Sequence, residues 1–313
     1  MTATLRRAAT VAVPLAVVLG AAACGSSGSG GSGGSCGAGG VAIVAGENQY
    51  GDVASQIGGR FVSVYSVLSN PNTDPHTYEA TPSTAAKVAA AQLLIENGVG
   101  YDSFMSKLAS ASPSSSRKVI DVQQLLGLPD STPNPHLWYD PATMPAVARA
   151  ITGDLSGLDP SHAATFRVNE AKFLASLRPW TDAIAAFKAK HPRIAAASTE
   201  PVGDYLLTAM GIDNLTPFSF QADVMNGTDP SPQAVSLVED LLTRHKVKVF
   251  VYNQQVTDPL TQTILQTAVS AGVPVVGLYE TMPAPGYDYQ TWMMAELTAI
   301  EKAAVDGKST QHL

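Results

Sequence analysis

From Val41 to the C-terminus, short β-branched and apolar runs alternate with stretches whose apolar residues recur at helical spacing, the pattern of βα units built around parallel sheet. The runs Val41 to Ala45, Phe61 to Leu68, Leu93 to Glu96 and Val119 to Val122 predict four strands. Between them, Gly51 to Ile57 and Ser83 to Ala91 read as helices, the second opened by Thr81-Pro82. Residues 41–158 form a first lobe on this reading. The stretch Ser161 to Lys190 then runs without glycine and with one proline, Pro179. In it Phe166, Phe173, Leu177, Trp180, Ile184 and Phe187 fall at steps of seven, four, three, four and three. That spacing predicts a long helix across 159–190, kinked near Pro179. The βα rhythm resumes over 191–313. It predicts strands at Ile194 to Ala197, Leu215 to Phe218, Val247 to Tyr252 and Val273 to Tyr279, with helices at Val202 to Met210, Pro232 to Arg244, Leu260 to Ala271 and Tyr289 to Ala304. The expected fold is α/β, with two lobes, each a central, mostly parallel sheet flanked by helices, joined by one long α-helix. Open parallel sheets bind ligands beyond the carboxyl ends of their strands, so the loops that follow strands, facing a cleft between the lobes, are where chemistry is expected.

The first forty residues follow another pattern. Arg6 and Arg7 precede an apolar stretch from Ala8 to Ala23, which reads as a signal peptide over 1–23 and is too short for a confident membrane span. It ends in Gly20-Ala21-Ala22-Ala23-Cys24 followed by Gly25-Ser26-Ser27, which resembles a bacterial lipoprotein box with Ala21 in place of the usual leucine. The resemblance implies acylation of Cys24 and an extracytoplasmic protein anchored to the outer face of the cytoplasmic membrane; ordinary cleavage near Ala23 and release is the alternative. Residues 24–40 are then the lipidated cysteine and a Gly/Ser tether that has no core to bury.

Composition narrows the function. Of the 313 residues 45% are hydrophobic and 14% charged, enough apolar material for two ordinary cores. A formal net charge of −7 with no cluster of Lys and Arg excludes a nucleic-acid partner. The two cysteines, Cys24 and Cys36, both precede the folded part, so neither a disulfide framework nor a metal–thiolate site is available.

Six histidines divide by setting. His162 opens the long helix, His191 and His245 lie at helix C-termini where an imidazolium favours the dipole, and His312 is in the tail; structural or solvated roles suffice. His76 and His136 each follow a proline, in Asp74-Pro75-His76 and Asn134-Pro135-His136, and each sits in a Pro/Asn-rich loop before a helix. Proline fixes φ and pre-orients the next side chain, while Asp74 or Asn134 can supply a hydrogen bond to the loop or the ring. Glu200 follows the first strand of the second lobe and Glu280 follows its last. Alone, Glu200 reads as a helix N-terminal charge and Glu280 as a solvated loop residue. Together, two imidazoles and two carboxylates form a mixed nitrogen and oxygen set that suits Zn2+, Mn2+ or Fe2+ rather than copper(I) or calcium. Bidentate binding by either glutamate would raise the coordination number, so ligand types do not choose among these ions.

The order Glu47-Asn48-Gln49-Tyr50-Gly51-Asp52, then Asn70-Pro71-Asn72-Thr73-Asp74-Pro75-His76-Thr77-Tyr78-Glu79, then Asn134-Pro135-His136-Leu137-Trp138 resembles the zinc/manganese family of ABC-transporter solute-binding proteins, and the similarity runs from about Val41 to the C-terminus. It implies metal ligands His76, His136, Glu200 and Glu280, with Asp74, Asn134 and Trp138 supporting them. It also implies one divalent ion, Zn2+ or Mn2+, bound between the lobes of a monomer and passed to a membrane permease and its ATPase. The family's fourth ligand is usually Asp, which makes Asp288 and Asp258 alternates to Glu280. The histidine-rich loop of some zinc-specific relatives has no counterpart between Met105 and Pro133. Two other readings use the same site: a surface adhesin, or a metal-dependent hydrolase with Glu79 or Asp140 as acid or base. No catalytic motif supports the hydrolase, so a binding protein rather than an enzyme is expected. An organic ligand held by Tyr50, Tyr101 and Trp138 would leave both Pro-His loops unexplained.

Overall fold

The computed structural model describes residues 40–72 and 74–313; the signal peptide, Cys24, Cys36 and the tether lie outside them, as does Thr73. In the first half, β1 (Val41–Glu47), α1 (Asn48–Gly58), β2 (Val62–Leu68), α2 (Pro82–Ala90), β3 (Leu93–Glu96), α3 (Ser103–Ala111), β4 (Lys118–Asp121), α4 (Val122–Leu125) and α5 (Thr143–Leu158) follow in order. The sheet runs β2-β1-β3-β4 and every pairing is parallel, with Ile43 opposite Leu93 and Leu93 opposite Lys118. Parallel strands covered on both faces read as unbroken apolar runs, and all four residues of β3 are buried. Thr81 caps α2 by accepting the Thr84 N–H at 3.2 Å, as its Thr-Pro opening predicts.

The predicted linking helix is two successive helices, α6 (Ala163–Ser176) and α7 (Arg178–Lys190), with a turn at Leu177. Pro179 has no N–H to give the Ala175 carbonyl and its ring crowds that carbonyl, so the ladder breaks one turn earlier and resumes with Thr181 N–H to Leu177 O at 3.1 Å. All six apolar residues of the predicted stripe are buried. The break divides the work, since α6 packs on α5 and α1 while α7 packs on α12 (Tyr289–Asp306) and α8 (Asp204–Met210).

The second half repeats the plan: β5 (Ile194–Ser198), α8, β6 (Ile212–Asn214), α9 (Phe218–Met225), α10 (Pro232–Thr243), β7 (Val249–Asn253), α11 (Pro259–Ser270), β8 (Val275–Leu278) and α12. The sheet order is β6-β5-β7-β8, again all parallel. One expectation is corrected here. The strand predicted at Leu215 to Phe218 lies three residues earlier, with Ile212 opposite Ile194. Leu215 and Phe218 are exposed, and Pro217 marks the entry to α9 rather than a strand interior. A single buried cluster joins the halves, running from Ile43 and Trp138 through Trp180 to Val251 and Trp292. None of the described helices is long and apolar enough to cross a membrane.

Candidate metal centre

The site residues leave the carboxyl ends of both sheets, as the topology requires. After β2, the Asp74 carboxylate accepts the His76 N–H at 2.8 Å and caps a 3-10 turn, Pro75–Thr77, that projects the ring of His76. That ring stays 23% exposed, and a cavity of about 180 Å³ beside it is lined by Leu68, Asp74, Pro75, Tyr78 and Thr281. In the loop after α4, Asn134 does more than was expected of it. Its Oδ1 accepts the His136 backbone N–H at 3.0 Å and meets Nδ1 of the ring at 2.8 Å, while its Nδ2 donates to the Pro201 carbonyl at 2.8 Å. With Oδ1 an acceptor, Nδ1 carries the proton and Nε2 points at the second lobe. Trp138 packs edge-on against the ring at 5.4 Å between centroids.

From the second lobe, Glu280 follows β8 and is fully buried. Its Oε2 lies 3.2 Å from His76 Nε2 and 3.1 Å from His136 Nε2, and accepts the Tyr101 hydroxyl at 2.9 Å. Two bonds of 2.0 to 2.1 Å at a tetrahedral angle leave their donor atoms roughly 3.3 Å apart, so these spacings match two edges of a zinc-type shell. The three ligand atoms lie within 4.8 Å of one another. Glu200, after β5, does not join that group of three but is tied to it through Asn253: its Oε1 accepts from the Asn253 amide at 3.1 Å, the same amide that donates to Glu280, and its Oε2 is buried without a hydrogen-bond partner. An orphaned buried carboxylate oxygen is what a cation would satisfy.

The charges agree with that reading. Burial works against the charge on His76, but the Glu280 carboxylate outweighs it and lifts the imidazole to about 9. Burial likewise pushes Glu280 up, and the two imidazoles, His76 foremost, override it and hold the carboxyl below the usual range. Glu200 rises well above the ordinary glutamate value, first through burial and then through the neighbouring Glu280 charge. Beside a Glu280 carboxylate held charged, the Glu200 carboxyl is held towards its neutral form, and a divalent ion would take the place of that proton.

The remaining candidates sort plainly. Asp258 and Asp288 accept N–H groups in capping boxes of α11 and α12 and do not join the cluster. Glu79 is exposed, and Asp140 accepts the Ala142 N–H in a turn. His162 stacks on Phe61 at 3.7 Å and bonds Asp159 through Nδ1 at 2.6 Å, a packing role. Tyr101, weighed in the sequence as a contact for an organic ligand, instead hydrogen-bonds Glu280. Sequence reasoning missed Asn253 and Gln255, which grip the glutamates from the end of β7. Their signal was their position, at and just past the end of a fully buried strand, the rule that singled out Glu200 and Glu280.

Known proteins share the fold and much of the chain's length. The manganese-binding lipoprotein MntA of Bacillus subtilis is 22% identical over 243 residues, covering 74% of this chain and 76% of MntA. The iron-binding protein YfeA of Yersinia pestis is 22% identical over 238 residues, covering 71% of this chain and 72% of YfeA. The fold matches a zinc-bound crystal structure of a ZnuA 138–173 deletion mutant with a TM-score of 0.70 and 22% identity, over 87% of this chain and all of the other. The family model for the zinc-uptake complex component A, periplasmic, matches residues 43–303, and the chain belongs to that family.

Proposed function

We propose that this protein binds one divalent transition-metal ion, Zn2+ or Mn2+ with Fe2+ as a further candidate, through His76, His136, Glu200 and Glu280, and delivers it to an ABC permease and ATPase. The observation that carries the reading is the convergence of both imidazole Nε2 atoms on Glu280 Oε2, with Glu200, whose buried Oε2 has no partner, linked to Glu280 through Asn253. A relative named manganese ABC transporter substrate-binding lipoprotein supports the transport role, and others named manganese-binding and zinc-binding lipoprotein support the extracytoplasmic location. One chain supplies all four ligands, so a monomer suffices. Cys24 is the proposed lipid attachment, and Cys24→Ser is expected to release the protein from the membrane fraction.

The test is a titration of chelator-stripped, untagged protein with zinc and with manganese. One ion per chain and a rise in thermal midpoint are expected. No stoichiometric binding of either ion overturns the proposal. His76→Ala and His136→Ala are expected to abolish tight binding and His162→Ala to leave it; equal losses from all three would show that the site lies elsewhere.

A further inference from the structure

Asn253 is the last residue of β7 and is 1% exposed. Its backbone N–H donates to Thr199 Oγ1 at 3.2 Å and its Oδ1 accepts the Gln255 N–H at 3.0 Å. The second bond fixes which end of the amide is nitrogen. Both hydrogens of Nδ2 are therefore committed elsewhere, one to Glu280 Oε1 at 2.7 Å and one to Glu200 Oε1 at 3.1 Å. Gln255 holds the frame, its Oε1 accepting the backbone N–H groups of Glu280 at 2.7 Å and Thr281 at 2.8 Å.

Oε1 of each glutamate is thus bound to Asn253, and Oε2 is not; Glu280 Oε2 accepts the Tyr101 hydroxyl instead. Glu280 Oε2 faces the two imidazoles and Glu200 Oε2 has no hydrogen-bond partner. Asn253 thereby fixes the rotation of both carboxylates: a group whose Oε1 is turned to a buried amide can bring that oxygen round to a shared ion only by breaking the bond in a place where water cannot replace it. We propose that Asn253 is the specificity-determining residue of this site: by occupying Oε1 of both glutamates it makes each bind through one oxygen, and so holds the captured ion at four ligands. Two nitrogens and two oxygens in that number are the shell zinc takes readily, whereas manganese favours shells of more oxygen ligands. This inference rests on the proposed binding site. It adds which of the candidate ions the site prefers, and the residue that sets the preference.

Cobalt(II) reports coordination number through its visible absorption, intense when four-coordinate and weak when five- or six-coordinate. Full-chain protein stripped of metal and loaded with cobalt is expected to show the intense spectrum. In Asn253→Ala the spectrum is expected to weaken towards the higher-coordinate form. Zinc affinity should fall about 10–100-fold while manganese affinity falls less, so that the ratio of the two narrows. An Asn253→Ala protein that keeps the wild-type spectrum overturns the proposal, as does one that loses zinc and manganese equally. A weak, higher-coordinate spectrum in the wild-type protein overturns it without reference to any variant. Wild-type protein that binds none of the three ions would overturn the binding site itself, a different result from either of these.

Discussion

His76 illustrates how a single side chain links proton and metal. With its imidazole lifted to about 9, it carries a proton at pH 7 in the ion-free protein, and as a ligand in the proposed site it would give that proton up when the ion enters. Zinc affinity is therefore expected to rise between pH 6 and pH 9 with at least one proton released per ion, measurable by calorimetry in buffers of different ionisation enthalpy. For the ion-free fold the sign follows from the raised value: the stabilisation from the His76 and Glu280 pair is fully present below the unfolded imidazole value of 6.5 and is lost as pH rises through about 9. Glu296 makes the same argument away from the site. Burial raises its carboxyl to about 8, where it accepts from Trp292 Nε1 at 2.9 Å. The unfolded chain loses that proton first, so the fold weakens from about pH 4.5 to pH 8, by a total on the order of 5 kcal/mol. Glu296→Gln keeps an acceptor for Trp292 and removes the slope; denaturant midpoints of the two proteins should agree near pH 4 and favour the variant at pH 9. The sequence disclosed the two histidines because proline marks both in the same way. Asn253 was hidden because an asparagine after a strand is commonplace, and its two carboxylate partners lie 53 and 27 positions away.

Helices and strands were legible to the degree that one local force decided them. The stripe from Phe166 to Phe187 and the disruption by Pro179 are both local, and both are realised as α6 and α7. β6 was misplaced because a three-residue edge strand has little pattern of its own and takes its place from pairing with β5. Asp258 and Asp288, alternates for the fourth ligand, are capping residues of α11 and α12. Asp288→Ala is accordingly expected to cost about 1 kcal/mol of stability, read from denaturant unfolding, with metal affinity unchanged. A loss of metal affinity in that variant would return Asp288 to the site.

The two halves are tied across the cleft at several points. Asn48 of α1 exchanges a pair of hydrogen bonds with the Met282 backbone at 2.8 and 3.0 Å, Gln49 reaches the Glu280 carbonyl at 3.3 Å, and Tyr289 donates to the Trp138 carbonyl at 2.6 Å. Together with the shared core, these bonds predict one cooperative thermal transition, not two, moved upward as a unit by bound ion. A calorimetric trace resolving two transitions would contradict it. The bonds between Asn48 and Met282 join positions 234 residues apart, which also gives the site a place in time. A chain appearing from its N-terminus presents both imidazoles well before either carboxylate, and the grip on the last ligand forms only when nearly the whole sequence is present. Fragments of the growing chain thus hold two loose histidines and no trap, and the power to take a metal arrives with the final helix.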